Sequence, residues 1–223
     1  MLHYHGTPIT PTSALQELSG CCFCVSFAAP GDIVRCHQIG QSVMLDNGAF
    51  SNWTRGKATD WIAYYCWSEK WLAYPTTWAV IPDVIDGTEA EQDQLICQWP
   101  YKERGAPVWH MNESLDRLIR LLEDWPRVCI GSTAIYRVVL SSAWQVRMDQ
   151  VWNELAKRYQ RFPWIHLLRG MSCSGKRWPF ASVDSTDIGR NHHRPLNSPK
   201  TMADRWDAIQ CPATWNPKNG YLF

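Results

Sequence analysis

The stretch Val43-Met44-Leu45-Asp46-Asn47-Gly48 decides how this chain is read. Three apolar residues run without a polar break, and polar residues and a glycine then stop them. A strand with one wet face alternates apolar and polar positions. An unbroken apolar run marks a strand covered on both faces, which is the usual condition of a parallel sheet. Seven further runs have this form: Leu2–His5, Phe23–Phe27, Trp78–Asp83, Pro107–His110, Arg127–Gly131, Ile165–Arg169 and Phe180–Asp184.

Between these runs the pattern predicts helices over Ser13–Leu18, Thr59–Leu72, Thr88–Trp99, Glu113–Trp125, Ser141–Phe162 and Ser198–Gln210. Thr88 and Glu91 have capping-box spacing. Leu115, Leu118, Ile119 and Leu122 fall on one helical face. Ser198 stands as a cap before Pro199 at the first helical position. Segments 28–42 and 170–179 are predicted to be helix-poor. Parallel neighbours need crossovers, so eight strands separated mostly by helices predict an α/β chain folded as a compact (β/α)8 TIM-type barrel, one domain over 1–223. A doubly wound open sheet is the competing arrangement.

Composition bounds the function. Of 223 residues, 45% are hydrophobic and 19% charged, which excludes a disordered chain and allows a sizeable core. No apolar run approaches the length of a membrane span, and residues 1–6 lack the basic and apolar regions of a signal peptide, so a cytoplasmic protein with no membrane partner is expected. Most of the nine cysteines lie in apolar stretches, as Cys24, Cys97 and Cys129 do, and read as reduced, buried small hydrophobes. The net charge of +1 excludes a polycation. Its distribution is uneven: residues 1–159 carry 13 Lys and Arg against 17 Asp and Glu, whereas residues 160–223 carry 9 against 4. Such a basic segment suits a phosphate-binding face, and equally an ordinary solvated surface. Fourteen tryptophans supply packing and stacking area. Those between Trp61 and Trp71 should pack helix to barrel, whereas Trp53, Trp109 and Trp178, near strand ends or loops, are candidates for stacking on a flat ligand.

The runs end in His5-Gly6-Thr7, Asp46-Asn47-Gly48, Asp83, His110, Gly131-Ser132, Arg169-Gly170 and Asp184-Ser185. In a barrel those ends converge on one mouth, where active sites are built. Any one of them is also what a turn after a strand requires. Three aspartates at three such ends favour a shared site. Carboxylates grouped in this way suit attack on an anomeric carbon with proton transfer by a second carboxylate, and metal-ion chemistry is the competing use. Cys21, Cys22, Cys24 and Cys36-His37 are dense enough to consider for zinc, but Cys22 and Cys24 would face one side of a strand with Phe23 opposite, so neither metal nor cofactor is expected.

Five segments, in order, resemble the tRNA-guanine transglycosylase superfamily, most closely its DNA-acting members. Val43-Met44-Leu45-Asp46-Asn47-Gly48-Ala49-Phe50 is similar to their Asp-Ser-Gly-Ala-Phe segment. Ile81-Pro82-Asp83-Val84 falls where the family has a base-recognising aspartate, and Cys129-Ile130-Gly131-Ser132 resembles its glycine-rich strand end. Ile165-His166-Leu167-Leu168-Arg169-Gly170 resembles its His-x-Leu-x-Gly strand, and Phe180-Ala181-Ser182-Val183-Asp184-Ser185 the strand of its nucleophile. The resemblance implies that Asp184 attacks the sugar C1′, that Asp46 exchanges a proton with base or water, and that Asp83 reads the base edge over Gly131 and Ser132. His110 stands where the family has a base-reading glutamine, and Asn47, Phe50, Arg169 and Gly170 complete the expected substrate-binding set. The family's zinc-site cysteines have no counterpart after Asp184, where only Cys211, His192 and His193 occur. Lys176, Arg177, Arg190, His192, His193 and Arg194 are the expected nucleic-acid contacts. The function expected is therefore a DNA base glycosylase acting on a flipped, modified base, which suits defence against phage DNA. The alternatives are base exchange in DNA or tRNA, a non-catalytic nucleic-acid-binding barrel, and a small-nucleoside hydrolase.

Overall fold

The computed structural model describes residues 1–217, so the last six residues of the basic segment lie outside the described residues. Its strands are β1 (Leu2–Gly6), β2 (Cys22–Ser26), β3 (Ser42–Asp46), β4 (Thr77–Val80), β5 (Gly105–Ala106), β6 (Val108–His110), β7 (Arg127–Gly131), β8 (Trp164–Leu167) and β9 (Ser182–Ser185). They pair in parallel in the order β5-β4-β3-β2-β1-β9-β8-β7-β6. The two ends of that order, β5 and β6, are consecutive in the chain and separated only by Pro107. Proline has no N–H to give the ladder, but its carbonyl still accepts from Cys129 N at 2.8 Å. Residues 105–110 thus behave as one interrupted strand, whose first half pairs with β4 and whose second half pairs with β7. The sheet closes into an eight-stranded (β/α)8 barrel, and closure excludes the open doubly wound sheet.

The helices are α1 (Thr12–Gln16), α2 (Ile33–Ile39), α3 (Ala49–Thr54), α4 (Trp61–Leu72), α5 (Glu89–Cys97), α6 (Leu115–Asp124), α7 (Ser142–Arg158), α8 (Asp187–Asn191) and α9 (Pro199–Asp207). Thr88 and Glu91 form the capping box, and Ser198 caps α9 with Pro199 at its first position. Segment 28–42, expected to be helix-poor, holds α2. Only Ile33 and Cys36 bury on that helix, a stripe too short to register as periodicity. The β8–β9 crossover does lack an α-helix: it carries one 3-10 turn, and Met171, Cys173, Trp178 and Phe180 bury themselves in its place.

The missing alternation now has its explanation, because both faces of most strands are apolar. Phe23, Val25, Val43, Leu45, Val128, Ile130, Ile165, Leu167 and Val183 pack outward against the helices. Tyr4, Cys22, Cys24, Met44, Trp78, Val80, Val108 and Cys129 fill the barrel. Each fully buried Val, Leu, Ile, Phe or Met side chain contributes about 1.5–3 kcal/mol. Trp78 donates its indole N–H to the Tyr4 hydroxyl at 2.9 Å, and both rings meet His166 edge-on. These aromatics plug the barrel. Two tryptophans expected to be free for stacking are instead core. Trp109 is 0% exposed and donates to the Ser114 carbonyl; Trp178 is 2% exposed, donates to Asp149 and lies edge-on to Trp144. β1 departs from the outward rule, turning His3 and His5 to the helix side, where Asp207 of α9 faces them.

Candidate active site

The chain places Asp46, Asp83, His110, Gly131, Arg169 and Asp184 at or just beyond the C-terminal ends of β3, β4, β6, β7, β8 and β9. Barrel closure brings them together. Asp184 and Asp83 both act on Asp46, and all three carboxylates act on the Arg169 guanidinium.

Asp184, 8% exposed, is held by one oxygen. Its Oδ1 accepts from the Arg169 backbone N–H at 2.7 Å and faces His166 Nε2 at 3.2 Å. Trp164 can only donate, and it donates to the Ser182 hydroxyl at 2.9 Å. That hydroxyl lies 2.8 Å from His166 Nδ1, and because a carboxylate oxygen can only accept, Nε2 is the nitrogen that donates to Asp184. Arg169 reaches its bond from the left-handed region, φ 55°. A non-glycine residue there costs of order 1 kcal/mol, and such strain is typical of sites where one N–H must point in one direction. Its guanidinium sits 3.8 Å from the Phe50 ring centre and donates to the Ser132 carbonyl. Arg169 therefore spans the mouth from β8 to α3 and the β7 loop.

Asp46 is half-buried and is pushed up from 3.8 to about 6. Burial is the main cause. The Ser26 hydroxyl and the Gly48 N–H, 3.3 Å from Oδ2, pull the other way, while Asp184 and Asp83 add repulsion. Gly48 itself sits at φ 77°, a turn that starts α3 directly beneath the carboxylate. An acid with this value carries appreciable neutral form near neutral pH and can both give and take a proton.

Asp83 is clamped. Oδ1 accepts from Asn47 Nδ2 at 2.7 Å, and Oδ2 lies 2.9 Å from His110 Nε2. Asn47 spends its second amide proton on the Ile81 carbonyl and its oxygen on Ala49 N, so it positions Asp83 and the start of α3. His110 lies over Gly131, where an added Cβ would sit 2.8 Å from the ring. Ser132 Oγ accepts from Trp144, and Gly170 packs tightly on Leu167.

The sequence reading missed four residues. His166 supports Asp184. Gln92, 1% exposed on α5, reaches His110 Nδ1 at 3.2 Å while bonding both backbone groups of Val84. Glu113 accepts from His110 N at 3.0 Å and from Arg117 at 2.6 Å, a pair 4% and 2% exposed. The motif around Arg169 contained His166; nothing local distinguished Gln92, Glu113 or Arg117 from surface polar residues.

The expected nucleic-acid contacts divide. Arg190, His193 and Arg194 are exposed on α8 and the loop after it, which leave β9 on the mouth side. His192 turns back to the Ile188 carbonyl. Lys176 is exposed on the β8–β9 crossover. Arg177 is directed at α7, where it grips Asp149 with bonds of 3.1 and 2.7 Å and stacks on Trp178. Trp53 is 49% exposed beside Phe50, tethered to Asp86. A shallow recess of about 710 Å³ on the β7–α7 loop, lined by Ala134, Ile135, Arg137 and Val138, contains none of the mouth carboxylates. No helix among the described residues is long and apolar enough to cross a membrane. In comparisons with known proteins, no family model, curated protein or solved structure matches this chain, so the reading of the mouth rests on its own residues.

Proposed function

We propose that this barrel is a DNA base glycosylase that cleaves the N-glycosidic bond of a modified base flipped into its mouth, as its resemblance to the DNA-acting transglycosylases implies. One observation carries the reading: a carboxylate steered by two N–H groups, Asp184, shares a mouth with a carboxyl group raised to about 6, Asp46. Paired carboxyl groups in different environments are the working parts of glycosidic cleavage.

The roles follow from the bonds already made. Oδ1 of Asp184 is taken, so Oδ2 attacks C1′ while the C1′–N bond breaks and its electron pair leaves with the base. Asp46, in its neutral form, gives that nitrogen its proton. The Asp46 carboxylate then takes a proton from water, whose oxygen attacks C1′ and releases Asp184 from the ester. Free base and an abasic sugar are the products. Asp83, oriented by Asn47 and His110, keeps a lone pair on each oxygen for donors on the base edge. Reaching C1′ in a duplex requires the nucleotide to be extruded. The exposed Arg190, His193 and Arg194 supply phosphate contacts at the rim.

The test is mass spectrometry of bases released from several natural DNAs, modified phage DNA included. Asp184→Asn should fold and bind DNA yet release no base, and wild type quenched mid-reaction should carry a DNA adduct on Asp184. An active Asp184→Asn protein would refute the nucleophile. Incorporation of a labelled 7-deazaguanine in place of release would show exchange instead of excision.

A further inference from the structure

We propose that His5, Cys21 and Asp207 form a zinc site on the outer wall of the barrel, tying β1 and the foot of β2 to the C-terminal end of α9. The site is independent of the mouth and of the glycosylase reading.

Three observations converge on it. First, β1 presents His3 and His5 to the helix layer, where its neighbours β2 and β9 present Phe23, Val25 and Val183. Second, His5 is 0% exposed, its Nδ1 has no partner, and its Nε2 faces only Asp207 Oδ1, at 3.6 Å and beyond hydrogen-bond reach. Buried polar groups are almost always satisfied, so an orphaned imidazole needs an explanation. Third, one ligand atom from each of His5, Cys21 and Asp207 falls within a span of 4.8 Å. His5 Nε2 lies 3.6 Å from Asp207 Oδ1, and Cys21 Sγ lies 4.0 Å from Asp207 Oδ2. Zinc bond lengths place tetrahedral ligand atoms about 3.3–3.6 Å apart, so a small inward movement of the Cys21 side chain completes the geometry.

The donor set selects the ion. One imidazole, one thiolate and one carboxylate suit zinc, whereas magnesium and calcium want oxygen alone. Binding takes the Cys21 thiol as thiolate and releases its proton to solvent. His3 acts as a positioning residue: its Nδ1 is 3.3 Å from Asp207 Oδ1, and its Nε2 is 3.0 Å from Ser174 Oγ, which braces the carboxylate from behind. Asp207 is exposed on its other side, so water can take the fourth position.

The test uses the whole protein, stripped with a chelator and titrated with Co²⁺, which reports thiolate ligation through a charge-transfer absorption. One equivalent should generate the band, and Zn²⁺ should displace it. Cys21→Ser should abolish the band, Asp207→Asn should weaken Co²⁺ binding at least tenfold, and Cys66→Ser, at an exposed thiol on α4, should leave it intact. Zn²⁺ at a hundredfold excess over its Kd should raise Tm by about 5–10 °C in wild type and not in Cys21→Ser. Asp184→Asn should keep the band, which separates this site from the mouth. A folded wild type without the band, or a band that survives Cys21→Ser, overturns the proposal.

Discussion

Asp46→Asn should make the protein more stable at neutral pH while slowing its chemistry. Burial raises the carboxyl from 3.8 to about 6, so the folded state holds this proton more tightly than the unfolded chain does. Between those two values the native state binds more protons, and stability contributed by this group falls as pH rises. The shift corresponds to about 2–3 kcal/mol, a cost absent below pH 3.8 and fully present above about 6. Asparagine keeps the shape, and its side-chain oxygen can still accept from Gly48 N, but it carries no charge to bury. The stability gain of Asp46→Asn over wild type should therefore be about 2–3 kcal/mol at pH 7.5 and shrink by roughly 1.4 kcal/mol per pH unit from 6 toward 4. Urea unfolding at half-unit pH steps measures it, urea being preferred because guanidinium salt screens the Asp184 and Asp83 repulsion. A difference that stays flat between pH 4 and 7.5 would refute the desolvated-acid account. A stabilised variant with undiminished base release would leave the stability argument standing and remove Asp46 from proton transfer, which typically contributes about 10²–10⁴-fold.

Other substitutions probe the rest of the mouth and its rim. Asn47→Ala strips partners from Asp83, the Ile81 carbonyl and Ala49 N, and should lower the urea-derived stability by about 2–3 kcal/mol. Asp83→Asn should change which base is released more than how fast, because an amide offers a donor where the carboxylate offers only acceptors; mass spectrometry of the released bases reads this directly. Arg190→Ala and Arg194→Ala should each lower the salt dependence of DNA affinity by about one unit of slope, measured by titration across salt concentrations. DNA affinity independent of salt would remove nucleic acid as the partner.

Barrel class and the location of the mouth were legible in the chain. Runs such as Val43-Met44-Leu45 and Val128-Cys129-Ile130 lack alternation because one face meets the helices and the other fills the barrel, a burial pattern written residue by residue. Asp46, Asp83, His110 and Asp184 could be placed on one rim because each ends or directly follows such a run, and parallel strands end at the same face. Other features depended on partners far away in the chain. An aromatic near a strand end reads alike whether it packs, as Trp109 does, or stays exposed, as Trp53 does. The raised value of Asp46 arises from burial by the closed barrel and from Asp184 on another strand. His166 gains its role from Ser182 and Asp184. Cys21 and Asp207 stand 186 residues apart and meet only because β1 and β2 lie side by side under α9. Strand burial repeats with a period of two residues and so shows in a short stretch; desolvation, charge coupling and ligand geometry are sums over neighbours that only the closed barrel assembles.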